Sequence, residues 1–248
     1  ARDLGYHKWR TLDPEIDPPF LLQLSKRGEK NISGYSMSEM QSKQRVNIFS
    51  TRYGISRYVV GVLFSCGHFD GTAKAISMSS GQVLQSVKHP YGKVKCLTVC
   101  ETYLVTGSFD CSIAIWRLNS NQSDTIIQST PLHILVGHDG PITSVFAQPS
   151  LNTLLSASED GSCIIYDFHS GDYGKSIVAK QGSIMEWAGL SLNGSIVTYQ
   201  DDSLSLYTIN GKQIDSTPIL EGDVLSSILF NETGNYLITG GMQGRVYV

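Results

Sequence analysis

The sequence lacks long apolar runs and any excess of one charge, and each absence argues against a class of protein. No apolar run approaches the ~20 residues that a membrane-spanning helix requires. The 248 residues contain 19 Lys and Arg against 22 Asp and Glu, which gives a formal net charge of -3. Because nucleic-acid binding depends on an excess of positive charge, this balance does not indicate a nucleic-acid partner.

Cysteine is scarce and is not arranged as a metal site or a disulfide framework. The chain has five cysteines, at positions 66, 96, 100, 111 and 163. Cys96 and Cys100 have a CxxxC spacing, but no nearby histidine completes a zinc-binding set. The odd number and the dispersed positions favour reduced cysteines in the core of a cytosolic protein. We therefore predict neither a metal nor a cofactor.

The motifs of common enzymes are missing as well. The sequence contains no Walker loop, no GxSxG elbow, no HExxH and no CxxC pair. Asp201 and Asp202 fall on a predicted hairpin turn, where aspartate is a favoured residue, and His68 is interpreted as a core or turn histidine. The short basic stretch 26–30 is interpreted as a solvated loop. We predict that the protein is not an enzyme and that any membrane association is indirect.

What the sequence does contain is a repeated β pattern, clearest at residues 131–168. Three apolar runs separated by turn residues lie within it, at 142–147, 153–158 and 163–168. Asp160-Gly161 joins the last two runs and is a strong hairpin signal, because both residue types tolerate positive φ. Gly137-His138 precedes the first run. A leading Gly-His and a later turn aspartate, recurring about every 40 residues, are typical of WD repeats.

Four further copies of the pattern occur along the chain, at residues 66–77, 107–116, 199–207 and 240–248. They predict an all-β fold, a WD-repeat β-propeller of four-stranded blades that has seven blades in full and is incomplete in this chain. Residues 46–248 are expected to form the blades, with the last one truncated. Residues 1–45 are expected to form a lead-in segment, made of the end of a preceding blade and an irregular loop.

The repeat also predicts a structural hydrogen-bond network inside each blade. A buried imidazole and a buried carboxylate must be paired, since their desolvation otherwise costs several kcal/mol. In one blade the candidate members are His89, Ser108, Asp110 and Trp116. In the next they are His138, Asp160 and either Ser156 or Ser158, with Tyr166 in place of tryptophan. The following blade has Gln181-Gly182 where Gly-His would stand, so we expect it to be the least rigid.

The rim of the propeller is the candidate partner-binding surface. We assign to it the residues that precede a turn aspartate and those in loops between blades, namely Phe69, Tyr91, Phe109, Asp139 and Glu159. Exposed aromatic side chains are favoured anchors in protein interfaces. The alternative is that Phe69 and Phe109 pack against a neighbouring blade.

Several strings resemble one family beyond the generic repeat, the C-terminal WD-repeat region of BEACH-domain proteins such as neurobeachin. They are Tyr6-His-Lys-Trp-Arg10, Pro14-Glu-Ile-Asp-Pro18, Cys66-Gly-His-Phe-Asp70, Ser80-Gly-Gln-Val-Leu-Gln85, Val94-Lys-Cys-Leu97, Asn210-Gly-Lys-Gln213 and Gly234-Asn-Tyr-Leu-Ile-Thr-Gly-Gly241. The match includes the part that precedes the repeats, which a generic propeller would not share. Lys88 departs from the pattern, since it replaces the usual glycine before His89.

The resemblance implies a large cytoplasmic scaffold protein that is peripherally associated with endosomal, lysosomal or Golgi membranes. It would act in vesicle traffic, lysosomal or autophagic processes or receptor signalling, and its BEACH and PH-like domains would lie outside this chain. Two alternatives remain open. One is a WD-repeat adaptor without a BEACH domain, and the other is a propeller hydrolase with acidic residues in the central channel. The mostly apolar innermost strands argue against the hydrolase.

Overall fold

The computed structural model describes residues 48–49, 61–119, 125–178, 182–219, 224–231 and 234–248. The predicted lead-in segment, residues 1–45, lies outside these ranges. All regular structure within them is β-strand, except for a 3-10 turn at Pro149–Leu151. No helix of the described ranges is long and apolar enough to cross a membrane.

The strands form four four-stranded sheets and one three-stranded sheet, and each sheet is one blade. Blade 1 consists of β1 (Ile48–Phe49), β2 (Val62–Ser65), β3 (Thr72–Ser77) and β4 (Val83–Lys88). Blade 2 consists of β5 (Val94–Cys100), β6 (Tyr103–Ser108), β7 (Ile113–Arg117) and β8 (His133–Leu135). Blade 3 consists of β9 (Ile142–Gln148), β10 (Thr153–Ser158), β11 (Ser162–Asp167) and β12 (Tyr173–Val178).

Blade 4 consists of β13 (Trp187–Leu190), β14 (Ser195–Gln200), β15 (Ser203–Thr208) and β16 (Gln213–Pro218). Blade 5 has three strands in the described ranges, namely β17 (Leu225–Phe230), β18 (Leu237–Gly241) and β19 (Val246–Tyr247). All pairings are antiparallel between strands that follow one another in the chain. The predicted all-β propeller of four-stranded blades is therefore confirmed, whereas the total of seven blades stays a prediction.

Burial changes across each blade, as expected for sheets that stand face to face around an axis. All six residues of β10 are buried, because a neighbouring blade covers each face of this central strand. The outermost strand β16 is exposed along its whole length. Blades 2, 3 and 4 thus keep their inner strands buried or half-buried and present their outer edges to solvent, whereas β17 of blade 5 is partly exposed.

The hydrophobic core consists of separate clusters that each join two adjacent blades. Phe64 of blade 1 packs in one cluster with Trp116 of blade 2. Ile113 of blade 2 shares the next cluster with Tyr166 of blade 3. Leu155 of blade 3 shares the third with blade 4. Since apolar burial stabilises by roughly 25 cal/mol per Å², these clusters stabilise the packing of adjacent blades.

Residues 126 and 127, which lie between β7 and β8, contact the preceding blade. Ile127 is fully buried in the cluster between blades 1 and 2. The Gln85 side chain of β4 accepts hydrogen bonds from the N–H groups of Ile126 and Ile127, both at 2.8 Å. It also donates to the Ile127 carbonyl at 2.7 Å. Ile126 and Ile127 therefore form a contact between blades 1 and 2.

Candidate protein-interaction face

The turns that carry the repeat aspartates lie beside the loops that enter the blades, at one end of the sheets. The N–H of Phe109 donates to the carbonyl of Lys93 at 3.1 Å, just before β5. The N–H of Glu159 donates in the same way to Pro141 at 3.0 Å, just before β9. In both blades the turn is thus fixed against the incoming loop, and this end of the propeller is the candidate interaction face.

Blade 3 holds a closed hydrogen-bond network beneath this face. The His138 side chain is fully buried, and its Nδ1 lies 2.9 Å from Asp160 Oδ2. Its Nε2 lies 2.7 Å from Ser156 Oγ. Because a carboxylate can only accept, Nδ1 carries the proton and Nε2 accepts from the serine hydroxyl. Of the two candidate serines, Ser156 contacts the ring, while Ser158 donates to the Gly140 carbonyl at 2.8 Å.

The electrostatics of this network keep the histidine neutral and the aspartate charged. Burial lowers the pKa of His138, although the hydrogen bond to Asp160 opposes the shift. Burial alone would raise the pKa of Asp160, but hydrogen bonds from the Ser162 hydroxyl and N–H outweigh it and hold the pKa below its ordinary value. A neutral imidazole that donates to a carboxylate is a structural arrangement that locks the turn to the loop.

Blade 2 has the corresponding residues but not the closed network. His89 Nδ1 lies 3.4 Å from Asp110 Oδ2, and neither ring nitrogen nor this oxygen has a hydrogen-bond partner within the described ranges. Ser108 donates to the Lys93 carbonyl at 3.0 Å and accepts from the Asp110 N–H at 3.2 Å. Trp116 Nε1 donates to Thr106 Oγ1 at 3.0 Å. The four candidate residues of this blade therefore do not form one continuous chain.

Sequence reasoning did not name Thr106, the hydroxyl that Trp116 contacts. Thr106 stands four residues before the turn aspartate, the same offset that separates Ser156 from Asp160. Counting back from the aspartate would have found it. Thr198 and Thr239 are buried on the equivalent strands of blades 4 and 5, and their hydroxyls have no hydrogen-bond partner within the described part of the chain.

In blade 4 other residues form the hydrogen bonds that connect the turn with the loops beside it. The Tyr199 hydroxyl donates to Asp202 at 3.1 Å and accepts from the N–H of Leu225 in blade 5 at 3.2 Å. The amide of Gln200 donates to the Ser183 carbonyl at 2.8 Å. These bonds also connect the turn with the incoming loop. The expected lower rigidity of this blade stays a prediction.

The rim residues predicted from the sequence are exposed on the candidate interaction face. Phe69 is 64% exposed, Tyr91 72% and Phe109 40%. The side chains of Asp139 and Glu159 are exposed as well. The turn that carries Phe69 adjoins blade 2, because the Val94 N–H donates to the Gly71 carbonyl at 2.9 Å. Side chains from three blades thus contribute to this part of the face.

Lys95 joins two of the predicted rim residues, and sequence reasoning missed it. Its ammonium lies 5.3 Å from the centre of the Phe109 ring and forms an ion pair with Glu159. The aromatic ring therefore packs against a lysine of its own blade, whose charge is shared with the next blade. No local pattern marks Lys95, since this contact depends on how blades 2 and 3 are placed side by side.

Carboxylates gather around Cys111, at the boundary of blades 2 and 3. Burial raises the pKa of the Cys111 thiol, and the charges of Asp110, Asp160, Asp139 and Glu159 raise it further. A thiol of this kind is a poor nucleophile, because the thiolate is disfavoured. Within the described ranges, no group of three or more His, Cys, Asp or Glu side chains is arranged to hold a metal ion.

Comparison with known proteins agrees with this architecture. The family model described as "Neurobeachin beta propeller domain" matches residues 38–248. The chain is 32% identical over 205 residues to BEACH domain-containing protein B of Arabidopsis thaliana and 26% identical over 205 residues to a putative neurobeachin homolog of Caenorhabditis elegans. Each match covers 75% of this chain and 8% of the relative, so the chain spans a small part of their length.

A solved structure supports the fold alone. The computationally designed Ika8 protein superposes with a TM-score of 0.60 at 20% sequence identity, over 77% of this chain and 55% of that one. The matched family model covers most of the chain, including every blade described above. The chain therefore belongs to the neurobeachin β-propeller family of BEACH-domain proteins.

Proposed function

We propose that this propeller is a non-catalytic protein-interaction scaffold of a BEACH-type protein, and that it acts in vesicle and membrane traffic, lysosomal or autophagic processes or receptor signalling. The names of its relatives support the assignment to a BEACH-type protein. The observation that carries it is the rim, where Phe69, Tyr91 and Phe109 keep 64%, 72% and 40% of their surface exposed. Aromatic side chains on a rigid support are the usual anchors of protein interfaces.

In blade 3 the hydrogen bonds beneath the rim fix the turn and the loop that carry Glu159 and Asp139. Asp160 accepts from His138, from the Asp139 N–H at 2.9 Å and from Ser162, so the turn that presents Glu159 is held on several sides. Ordering these groups in advance lowers the entropy cost of binding. The role of the network is therefore to position partner-binding side chains, and none of its members needs to react.

The partners are proteins or peptides that dock on the rim, together with BEACH and PH-like domains of the same protein outside this chain. Because the chain covers 8% of the length of its relatives, these domains would act alongside the propeller in a much larger protein. Membrane association would be indirect, through such domains or bound partners. We place the protein in the cytoplasm, peripherally associated with endosomal, lysosomal or Golgi membranes.

Quantitative affinity purification from cells tests the rim assignment. Phe69→Ala and Phe109→Ala remove exposed anchors, and we expect proteins recovered with wild type to be reduced about tenfold, which corresponds to ~1.4 kcal/mol. Tyr236→Ala is the matched control, since Tyr236 is 62% exposed and lies in a turn at the other end of the sheets. Unchanged recovery with both rim variants, in protein that folds normally, would show that the rim is not the partner-binding surface.

A further inference from the structure

The position of Lys95 shows what kind of group the rim accommodates. Its ammonium lies over the Phe109 ring and pairs with Glu159, so an aromatic face and a carboxylate meet at one point. This pair of groups is a common receptor for a cation, because the ring quadrupole and the carboxylate charge act together. The rim thus already holds one cationic side chain, which comes from the chain itself.

The negative charge at this place exceeds what Lys95 neutralises. Four carboxylates gather at the boundary of blades 2 and 3, and we call Asp110, Asp139, Glu159 and Asp160 the acidic group. Asp139 and Asp160 are adjacent, since the Asp139 N–H donates to Asp160 Oδ2 at 2.9 Å. Glu159 precedes Asp160 in the same turn and contacts Lys95. Among the ion pairs of the described residues, Lys95 contacts Glu159 and no other member of the acidic group.

A second observation lies beneath the acidic group. The side chain of His89 is 0% exposed and has no hydrogen-bond partner within the described ranges, although it lies 3.4 Å from Asp110 Oδ2. The histidine is neutral at neutral pH, because burial lowers its pKa. It therefore does not neutralise Asp110, and the negative potential of this part of the rim is only partly compensated from below.

We infer that this side of the rim binds a basic peptide segment of a partner protein, which places an Arg or Lys side chain against the acidic group and an apolar side chain against Phe69 and Tyr91. The inference rests on the proposed function of the rim and adds the chemistry of its partner. Opposite charges at the edge of an aromatic surface give specificity as well as faster association. An arginine suits the site because its planar group stacks on a ring and binds a carboxylate with two hydrogen bonds.

Lys95 has a defined part in this arrangement. It occupies the position between Phe109 and Glu159 that a partner cation would take, so the partner must displace it. Lys95→Met keeps much of the apolar stem and removes the competing charge. We expect this variant to bind a basic peptide about threefold to tenfold more tightly than wild type does.

Selection from a phage-displayed random peptide library tests the inference without a known partner. The full chain is the bait, and selected peptides are measured by fluorescence polarisation. We expect them to be enriched in Arg and Lys, to bind about tenfold more weakly to an Asp139→Asn, Glu159→Gln double variant, and to weaken with salt. These isosteric changes spare the turn. Asp172→Asn is the matched control, since this exposed aspartate lies at the other end of blade 3.

The outcomes separate the inference from the proposed function. Selected peptides could bind less well to the Phe69→Ala variant and yet show no enrichment in Arg and Lys and no response to the double variant. This outcome would support the rim as the binding surface and overturn the basic partner. Tighter binding to the double variant would overturn it as well. Selection that yields no peptide sensitive to Phe69→Ala or Phe109→Ala would contradict both proposals.

Discussion

Blades 2 and 3 carry the same repeat, with a buried histidine before the first strand and an aspartate in the turn, yet only blade 3 closes the network. His138 reaches Asp160 at 2.9 Å, whereas His89 remains 3.4 Å from Asp110. Side-chain identity at the motif positions is therefore not sufficient. What differs is the backbone that surrounds the two carboxylates.

One residue after the histidine explains a large part of the difference. In blade 3 this residue is Asp139, whose N–H donates to Asp160 Oδ2 at 2.9 Å. In blade 2 it is Pro90, which has no N–H to donate. Asp110 Oδ2 therefore lacks the backbone bond that orients its counterpart. Pro90, which is outside the side-chain motif, thus leaves Asp110 with one backbone hydrogen bond fewer than Asp160 has.

Blade 2 has a contact that blade 3 does not show in the described ranges. Ile127, between its third and fourth strands, packs between blades 1 and 2. Gln85 of blade 1 makes three hydrogen bonds to the backbone of Ile126 and Ile127. Blade 2, which has the open network, is thus also bound to blade 1 by packing and hydrogen bonds of Ile126 and Ile127. The hydrogen-bond network beneath the rim stabilises blade 3, whereas these contacts at the outer edge contribute to the stability of blade 2.

Replacing each histidine by leucine is the strongest test of this comparison. His138→Leu removes the imidazole that both Asp160 and Ser156 contact, and we expect the free energy of unfolding to fall by about 3 kcal/mol. His89→Leu removes two ring nitrogens that make no hydrogen bond to any residue of the described ranges, and we expect a change within about 1 kcal/mol. Urea denaturation followed by circular dichroism measures both. Equal losses in the two variants would show that the open network of blade 2 contributes as much as the closed one.

The sequence was sufficient for the fold because the repeat is periodic. Apolar runs between turn residues set the strands, and five copies of an imperfect pattern set the blades. The choice between Ser156 and Ser158 was beyond such reasoning, since residues two apart point to the same face of a strand. The distance of each serine from the buried ring separates them, and so does the offset from the turn aspartate that Ser156 shares with Thr106.

The candidate site was predicted less completely, and the physical reason is that its contacts cross between blades. Lys95 belongs to blade 2 but contacts Glu159 of blade 3, and Ile127 packs in the cluster between blades 1 and 2. Local patterns carry no information about such pairs. The exposed rim residues were predictable because turn position alone places them at the end of the sheets.

The pH dependence of stability tests the buried histidines separately from the turns. Burial lowers the pKa of His68, His89 and His138 in the folded chain. As the pH falls through about 6.5, the unfolded chain takes up protons that the folded chain resists, so stability is lost in that window. Each histidine contributes at most about 1.4 kcal/mol per pH unit. Asp160, whose pKa is lowered, loses its contribution only below about pH 4.

We therefore expect wild-type stability to fall between about pH 7.5 and about pH 5.5, and His89→Leu to flatten this fall. Denaturant unfolding at a series of pH values measures the slope. The comparison is clean because His89→Leu is expected to change little at neutral pH. A variant that keeps the full wild-type slope would show that His89 is not shielded from protonation in the folded chain.

The turns of the same two blades offer a further comparison, since Cys111 and Gly161 follow the turn aspartates. Both adopt positive φ, at 72° and 85°. This conformation costs a non-glycine residue roughly 1–2 kcal/mol, while glycine lowers stability by about 0.4–1 kcal/mol through the unfolded chain. We expect Cys111→Gly to stabilise by somewhat under about 1 kcal/mol and Gly161→Ala to destabilise by about 1–2 kcal/mol. Thermal and urea unfolding measure both, and a Cys111→Gly variant that is less stable than wild type would show that contacts of the cysteine side chain outweigh its backbone strain.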